Sequence, residues 1–400
     1  MDCCKSEKNW ANLVMIPYSR QDITQDDIDA VVAVLKSEFL TQGPLVPQFE
    51  KAVADYCGSQ FSVAVNSATS ALHIACLSLG LGPGEIAWTS PNSFMASANC
   101  ALYCGATVDF VDIDPLTYNM SAATLEEKLQ EAKKLNKLPK VVIPVHFAGQ
   151  SCEMKRIHAL SKEYGFRIIE DASHAVGGRY LNKPIGNCEY SDVAVFSFHP
   201  VKIITTAEGG MAVTNDGELA KKMRLFRSHG TSSDPKDMEP RPTDEIWNYQ
   251  QIELGYNYRM TDLQAALGLS QIKRLDHYVA KRHVLAKRYD NLLSEMNVIV
   301  PHQDIDSYSA YHLYPIQVRA EDKAKARKNI YEGFLCKDIR VTIHYSPIHL
   351  QPFYARRGFS VGDFKNAENY FAGTLSIPLY PNLAEPDQNF IIQTMQSLLI

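Results

Sequence analysis

Long apolar stretches are missing from this sequence. No run in its 400 residues approaches the roughly 20 apolar residues that a membrane-spanning helix needs. Residues 1–8 are polar and charged, unlike the start of a secretory signal peptide. These absences argue against a membrane or secreted protein and predict a cytoplasmic one.

A strong charge of one sign is missing as well. The chain has 40 Lys and Arg residues against 45 Asp and Glu residues, which gives a formal net charge of −5. No basic stripe of the kind that follows a nucleic-acid backbone appears along the chain. We therefore expect neither a nucleic acid nor a membrane as a partner.

Metal-ligand spacing and a dinucleotide fingerprint are also absent. Cys100 and Cys104 stand four residues apart, but no second Cys or His pair lies nearby, so we expect no metal site. The nine cysteines fall mostly within apolar segments and are expected to be reduced thiols. No Gly-x-Gly-x-x-Gly follows a predicted strand, which excludes a plain Rossmann-type dehydrogenase.

An alternation of strand and helix patterns is what the sequence does contain. It predicts an α/β fold with parallel strands joined by helical crossovers, in which ligands bind at the carboxyl ends of the strands. Four hundred residues are too many for one compact core, so two domains are expected. The alternating segments are 61–65, 71–79, 107–111, 124–134, 140–145, 153–164 and 166–171.

One lysine stands out in the segment 196–210, which reads FSFHPVKIITTAEGG. A buried strand ends at its start, and Gly209-Gly210 lets the chain turn into the next apolar run. The charged residues nearest to Lys202 are Asp192 and Glu208, so this side chain is expected to face a cavity. A lysine in such a pocket can lose its proton and attack a carbonyl, which is the chemistry of Schiff-base formation.

Two further features suit a cofactor with a basic ring and a phosphate. The strand over 166–171 ends in Asp171, and a carboxylate there can pair with a pyridinium nitrogen. Residues 66–70 lead from a strand into a helix, whose free N–H groups and dipole favour a phosphate. Together with Lys202, these features predict pyridoxal 5′-phosphate as the cofactor.

Four segments carry a resemblance to a known family. The stretches NSATSAL, EDASHA, FSFHPVKIITTAEGG and LGYNYRMTDLQAALG resemble the DegT/DnrJ/EryC1/StrS family of pyridoxal-phosphate sugar aminotransferases, from about Ile16 to the C-terminus. Within the family, EFLTQGP, TTAEGGMAVTND, LFRSHG and ALGLSQ are most similar to the branch of pseudaminic-acid biosynthesis.

The resemblance implies the fold type I of pyridoxal-phosphate-dependent transferases, which is aspartate aminotransferase-like. A large domain with a mostly parallel sheet is then followed by a small C-terminal α/β domain. The expected boundaries are a tail over 1–15, the large domain over 16–260, a long linking helix over 261–295 and the small domain over 296–400. In the small domain, 310–318 and 339–345 are predicted strands.

The resemblance also assigns roles around the cofactor. Lys202 is the catalytic residue, Phe94 stacks on the cofactor ring, and His174 lies beside the phenolic oxygen. Asn257 reaches the site of the neighbouring subunit, which implies a homodimer with shared active sites. The cofactor-binding set is Ser67, Ala68, Thr69, Phe94, Asp171, His174, Ser197, Lys202 and Asn257.

A second set is implied for the nucleotide sugar. It includes the loop over 38–44, which ends in Gly-Pro, and the end of a predicted strand, which carries a His-Tyr pair. The substrate-binding set is Tyr18, Glu38, Phe39, Leu40, Thr41, Thr342, Ile343, His344 and Tyr345.

The implied reaction moves an amino group from L-glutamate to C4 of a UDP-linked 4-keto-6-deoxy-N-acetylamino sugar, giving UDP-4-amino-4,6-dideoxy-N-acetyl-beta-L-altrosamine. Family members that dehydrate their sugar carry histidine where this chain has Lys202, which favours transamination.

Two alternatives stay open. The first is the same chemistry on another UDP- or dTDP-linked 3- or 4-keto sugar, since the motifs around the cofactor do not touch the sugar. The second is a catalytically silent, cofactor-binding regulatory protein. The presence of Lys202, Asp171 and the Ser67–Thr69 segment together argues against that second reading.

Overall fold

A computed structural model describes residues 15–240, 242 and 244–399. The predicted N-terminal tail therefore lies outside the described residues, apart from Met15. Among the described helices, none is both long and apolar enough to span a bilayer.

The helices of the described chain alternate with short strands through its first half. Several begin at side-chain caps, as where Asp216 accepts hydrogen bonds from two N–H groups of the first turn. The helices are α1 (Gln25–Leu35), α2 (Leu45–Cys57), α3 (Ala68–Ser78), α4 (Ala96–Tyr103), α5 (Ala122–Lys134), α6 (Met154–Tyr164), α7 (Gly217–Arg227), α8 (Asp262–Ile272), α9 (Leu275–Leu293), α10 (Lys323–Cys336), α11 (Pro352–Ala355), α12 (Lys365–Gly373) and α13 (Glu385–Leu398).

The strands are short, and those at the centre of the molecule are almost fully buried. They are β1 (Phe61–Val65), β2 (Ile86–Thr89), β3 (Thr107–Phe110), β4 (Val141–Ile143), β5 (Arg167–Asp171), β6 (Arg179–Tyr180), β7 (Lys183–Pro184), β8 (Val193–Ser197), β9 (Gly210–Thr214), β10 (Thr231–Ser232), β11 (Gln250–Gln251), β12 (Val298–Ile299), β13 (Ser307–Tyr308), β14 (Tyr314–Val318) and β15 (Thr374–Ile377).

The central sheet has seven strands in the order β1-β9-β8-β5-β4-β2-β3. The pairs among β3, β2, β4, β5 and β8 are parallel, whereas β9 pairs antiparallel with both β1 and β8. The sheet is buried against helices, with α3 packed on β8 and β9. The prediction of a mostly parallel α/β fold is confirmed.

The C-terminal part has its own antiparallel sheet, β12-β14-β15, and its own apolar core. The predicted strand over 310–318 is confirmed only in its second half, as β14. The strand predicted over 339–345 is wrong, because this segment makes only isolated bridges and no continuous ladder with a neighbouring strand. Ile339 and Thr342 instead form isolated bridges with Ile16 and Ser376.

The prediction of one long linking helix over 261–295 is also wrong. The segment forms two helices, α8 and α9, with a break at Lys273 and Arg274. The guanidinium of Arg274 turns towards α1 and donates to both carboxylate oxygens of Asp27, at 2.6 and 2.8 Å. Side-chain bonding at the break therefore replaces helix continuation. The division into large and small domains stays a prediction.

Candidate active site

A cavity of about 620 Å³ opens beside the ends of β5 and β8. Such strand ends are where ligands bind in open α/β sheets. Thirteen of the residues predicted from the sequence line it, namely Tyr18, Ser67, Ala68, Thr69, Phe94, Asp171, His174, Ser197, Lys202, Thr342, Ile343, His344 and Tyr345.

Lys202 lies in the loop between β8 and β9, which hydrogen bonds fold tightly. Its N–H donates to the carbonyl of His199 at 2.9 Å, and the Thr205 hydroxyl donates to the carbonyl of Phe198 at 2.9 Å. Burial lowers the pKa of the Lys202 amine to about 8, although the charge of Asp171 acts in the opposite direction. The lowered pKa makes the amine neutral, and so nucleophilic, at a pH about two units lower than for an ordinary lysine, with half of it neutral near pH 8.

Asp171 ends β5 and is 5% exposed. The hydroxyl of Ser97, on α4, donates to its Oδ2 at 2.6 Å, and the N–H of Ser173 donates to Oδ1 at 3.1 Å. These bonds fix the position of the carboxylate. Ser97 was missed from the sequence, where a serine within an apolar helix gives no signal of this contact.

The start of α3 faces the same cavity. Ser67 caps the helix, and its hydroxyl oxygen accepts from the N–H of Ser70 at 3.1 Å. Gly210 lies directly beneath, because a Cβ on it would stand 2.5 Å from the nitrogen of Ala68. The first N–H groups of a helix have no partner within the helix, so this turn offers free donors beside Lys202.

His174 and Tyr345 form a neutral pair in the cavity wall. The Nδ1 atom of His174 accepts from the N–H of Ala148 at 3.3 Å, so the ring proton is assigned to Nε2, which lies 3.0 Å from the Tyr345 hydroxyl. Burial, aided by the charge of Lys202, holds the pKa of His174 well below its usual range. The Tyr345 oxygen accepts from His174, which leaves its own hydrogen for a ligand.

His344 belongs to the same wall, and its Nδ1 lies 2.9 Å from the hydroxyl of Ser376. Burial lowers the pKa of His344 to about 3. Asn92, missed from the sequence, accepts from the N–H of Tyr345 at 3.2 Å and so fixes this pair of residues. The wall opposite Lys202 is polar and uncharged.

Five predicted residues lie outside this cavity. Glu38, Phe39, Leu40 and Thr41 are exposed on the loop before α2, and Asn257 is exposed on the loop before α8. The two loops are adjacent, because the N–H of Asp262 donates to the carbonyl of Leu40 at 3.0 Å. One chain therefore does not bring these residues to its own Lys202.

The fold and the cavity are those of a pyridoxal-phosphate-dependent transferase of fold type I. The profile of the "DegT/DnrJ/EryC1/StrS aminotransferase family" matches residues 21–396, and the chain belongs to this family.

Similar proteins include two from bacteria that match almost end to end. The chain is 39% identical to the UDP-4-amino-4,6-dideoxy-N-acetyl-beta-L-altrosamine transaminase of Campylobacter jejuni, over 96% of this chain and 98% of the relative. It is 38% identical to the spore coat polysaccharide biosynthesis protein SpsC of Bacillus subtilis, over 96% and 97%. The solved structure of Helicobacter pylori PseC, an aminotransferase involved in pseudaminic-acid biosynthesis, superposes with a TM-score of 0.87. It is 32% identical and covers 96% of this chain and 99% of that one.

The protein is thus a sugar aminotransferase that uses pyridoxal 5′-phosphate. The cavity fits this cofactor on its own geometry. Lys202 offers an amine of lowered pKa, and Ser97 fixes the carboxylate of Asp171. Because Gly210 has no side chain, the start of α3 can pack directly against β9 beside the cavity. The earlier predictions of family, enzyme class and cofactor are confirmed.

Proposed function

We propose that this enzyme transfers the amino group of L-glutamate to C4 of a UDP-linked 4-keto-6-deoxy-N-acetylamino sugar. The product is then UDP-4-amino-4,6-dideoxy-N-acetyl-beta-L-altrosamine, a step of pseudaminic-acid biosynthesis. The observation that carries the proposal is that Lys202, Asp171 and a wall of neutral hydrogen-bonding side chains line the same cavity. The similarity over nearly the whole chain to the Campylobacter jejuni and Helicobacter pylori enzymes supports this sugar.

Each cofactor-side residue has a distinct task in this proposal. The bound cofactor supplies an electron sink for the charge left on the α-carbon of the amino donor. Lys202 Nζ would take the proton from that carbon and return it to the cofactor carbon that carries the amino nitrogen. Asp171 accepts the hydrogen bond of the ring nitrogen and keeps that nitrogen protonated.

The remaining cofactor contacts orient and bind. The N–H groups at the start of α3 and the hydroxyl groups of Thr69 and Ser197 would bind the phosphate, and Ser67 would support them as the cap of α3. Phe94 packs against the ring. His174 is buried and neutral, so it is assigned to binding and not to proton transfer. His174 would lie beside the phenolic oxygen, and the Tyr345 hydroxyl that it orients offers the free hydrogen there.

The sugar is placed against the wall made by Tyr18 and 342–345. Neutral groups such as His344 and Tyr345 suit the hydroxyl and N-acetyl groups of a sugar, which carry no charge. The rings of Tyr18 and His344 lie 5.7 Å apart, so they form one continuous part of this wall.

We propose further that the enzyme is a homodimer with shared sites. Glu38–Thr41 and Asn257 are exposed and adjacent, and Phe39 and Leu40 expose 51% and 48% of their surface. Exposed apolar side chains beside polar ones are typical of a protein interface. In the dimer this surface meets the cavity of the other subunit, where it contacts the cofactor phosphate and the nucleotide.

A two-step absorbance experiment tests the reaction. The purified holoenzyme is converted to its pyridoxamine form with L-glutamate, the donor is removed, and the UDP-4-keto-6-deoxy-N-acetyl sugar is added. Return of the absorbance band of the lysine-bound cofactor is expected. The Lys202→Ala variant is the control, and it should give no turnover although the pyridoxamine form can still dock.

Each failure of this experiment has a different meaning. If L-glutamate converts the cofactor and this sugar does not restore the band, the substrate is another UDP- or dTDP-linked 3- or 4-keto sugar. The chain is almost as similar to SpsC, at 38% identity, as to the Campylobacter jejuni transaminase, at 39%, which supports testing this second candidate substrate class. Turnover by Lys202→Ala would overturn the assigned mechanism.

A further inference from the structure

His312 is a third buried histidine of the cavity wall and is 2% exposed. Its ring lies 4.4 Å from that of His174, centroid to centroid. Sequence reasoning missed this residue, because it is embedded in the apolar segment 310–318 that was predicted only as a strand.

The hydrogen bonding of His312 differs from that of the other two buried histidines. His174 bonds to Ala148 and Tyr345, and His344 bonds to Ser376. The Nδ1 atom of His312 has no partner among the described residues. Nδ1 is closed off from the cavity, so a ligand there can pair only with Nε2, which likewise has no hydrogen-bond partner among the described residues.

A buried arginine stands behind His312. Arg282, on α9, is fully buried, and its Nη1 donates to the carbonyls of Tyr311, His312 and Leu379 at 3.0 to 3.2 Å. Its Nε and Nη2 atoms have no partner in the described part of the chain. A buried cation without a carboxylate creates a positive potential around it.

That potential reaches the ring of His312. Burial, together with the positive charges of Lys202 and Arg282, holds the pKa of His312 well below its usual range. The ring is therefore a neutral hydrogen-bond donor close to the charges of Arg282 and Lys202, which suits an anion, although Asp171 and Glu208 also line the cavity. Among the described residues that line the cavity, there is no arginine and no lysine besides Lys202.

We propose that His312, backed by the buried Arg282, is the subsite for the α-carboxylate of the amino donor. The inference rests on the proposed function in so far as an α-amino acid is the donor. A carboxylate at this position accepts from the imidazole and gains from the charge of Arg282 without contacting it. Arg282 acts through His312 and is a positioning residue, whereas His312 touches the substrate.

Binding of two small ligands to the holoenzyme tests this subsite without turnover. 2-Aminoisobutyrate carries an α-carboxylate but no α-hydrogen, and isopropylamine is the same amine without the carboxylate. We expect His312→Phe to weaken 2-aminoisobutyrate about tenfold or more, as for loss of a hydrogen bond to a charged group, and to leave isopropylamine unchanged. Absorbance titration of the bound cofactor gives both affinities.

Matched variants separate this role from a structural one. His312→Gln keeps a neutral donor and should restore most of the affinity for 2-aminoisobutyrate. Arg282→Met should weaken 2-aminoisobutyrate selectively, whereas Arg282→Lys keeps the charge and should do so less. His277→Phe and Lys287→Met change exposed residues of α9 and serve as controls.

The outcomes are distinct from those of the proposed function. Equal weakening of both ligands by His312→Phe, or no weakening of either, overturns the subsite. Weakened binding of the keto sugar to the pyridoxamine form, with 2-aminoisobutyrate unaffected, assigns His312 to the sugar and also overturns it. Because the ligand pair has no side chain and no sugar, an error in the proposed donor or sugar does not alter the result.

Discussion

The role proposed for Lys202 depends on the surroundings of its amine, which set the pKa of that amine. Desolvation in the cavity wall disfavours the charged amine, and the buried carboxylate of Asp171 partly restores it. The balance places the pKa of the amine near 8, compared with 10.5 for an ordinary lysine. This lysine can therefore act as a nucleophile and as a proton carrier in the same pH range.

The rate at which the apoprotein captures pyridoxal phosphate should report this balance. Only the neutral amine attacks an aldehyde, so the rate should rise with a midpoint near pH 8. Because the Asp171 charge raises the pKa of Lys202, Asp171→Asn should move the midpoint to lower pH. Stopped-flow absorbance between about pH 6 and about pH 10 measures the midpoints of the wild-type protein and of the variant. A rate that still rises at about pH 10 without levelling off, as for an ordinary lysine of pKa 10.5, would contradict the assigned environment.

Individual site residues differed in how far the sequence predicted them. Lys202 and Asp171 were predictable, because each follows a strand whose apolar pattern is clear. Ser97, Asn92 and His312 were missed, since their roles depend on contacts with residues far away in the chain. Sequence spacing carries no information on such contacts.

At the scale of elements, β9 and α3 meet where the cofactor phosphate is proposed to bind. β9 runs against its two neighbours in the sheet and presents Gly210 at its first position, beneath Ser67 and Ala68. A side chain there would meet backbone atoms, which cannot move away as a flexible side chain can. The glycine is therefore required by close approach of two elements.

Gly210→Ala should weaken cofactor binding about tenfold, because the added methyl group displaces the start of α3. Equilibrium titration of the apoprotein with pyridoxal phosphate measures the effect. Gly82→Ala is the matched control, since a Cβ there meets open space. Equal affinities in the two variants would show that the start of α3 does not hold the phosphate.

The break between α8 and α9 is a second feature at this scale. Arg274 and Gln271 both donate to Asp27, whose side chain is buried, so the break ties α1 to the helices that follow the active site. Burial acts to raise the pKa of Asp27, but hydrogen bonds from Arg274, Ser270 and Thr24 outweigh it and lower the pKa below its ordinary value.

Asp27→Asn should destabilise the protein by about 3 kcal/mol at pH 7, because it leaves Arg274 without its partner. The folded-state pKa is lowered, so the stabilisation is present above about pH 4 and is lost as the pH falls through the folded-state value. Urea unfolding at pH 7 and at acidic pH should show the difference from wild type shrinking. Asp29→Asn, an exposed change on α1, is the control. A pH-independent difference would exclude the ion pair as the cause.

Element prediction succeeded where local pattern and tertiary context agree. The strand over 61–65 and the helix over 153–164 match β1 and α6 to within a residue. The segments 339–345 and 261–295 failed, because their local pattern signals neither the lack of a continuous strand partner nor the break at Lys273 and Arg274.

At the scale of the whole molecule, the exposed loops around Leu40 and Asn257 determine whether one chain can form a complete site. If Asn257 completes the site of the partner, two different inactive chains can complement each other. Lys202→Ala removes the amine of its own site, and Asn257→Ala weakens the other site. A dimer of the two variants then retains one intact site.

Mixing Lys202→Ala and Asn257→Ala chains in equal amounts should restore about a quarter of wild-type activity, since half of the dimers are mixed and each has one intact site. The chains are co-expressed, and activity is measured at limiting cofactor. Each variant alone is the control. Activity no higher than the mean of the two single variants would show that the sites are not shared.

The N–H of Leu379 donates to the carbonyl of Tyr18 at 3.1 Å, and Arg282 holds the carbonyl of the same Leu379. A bond thus joins residues near the two ends of the chain. During synthesis, residues 67–210 leave the ribosome well before Leu379 does. The segment that carries Lys202 and Asp171 is therefore synthesised before Leu379, the residue whose N–H bonds Tyr18 in the wall proposed to bind the sugar. A chain truncated before Leu379 lacks the bond that seats Tyr18.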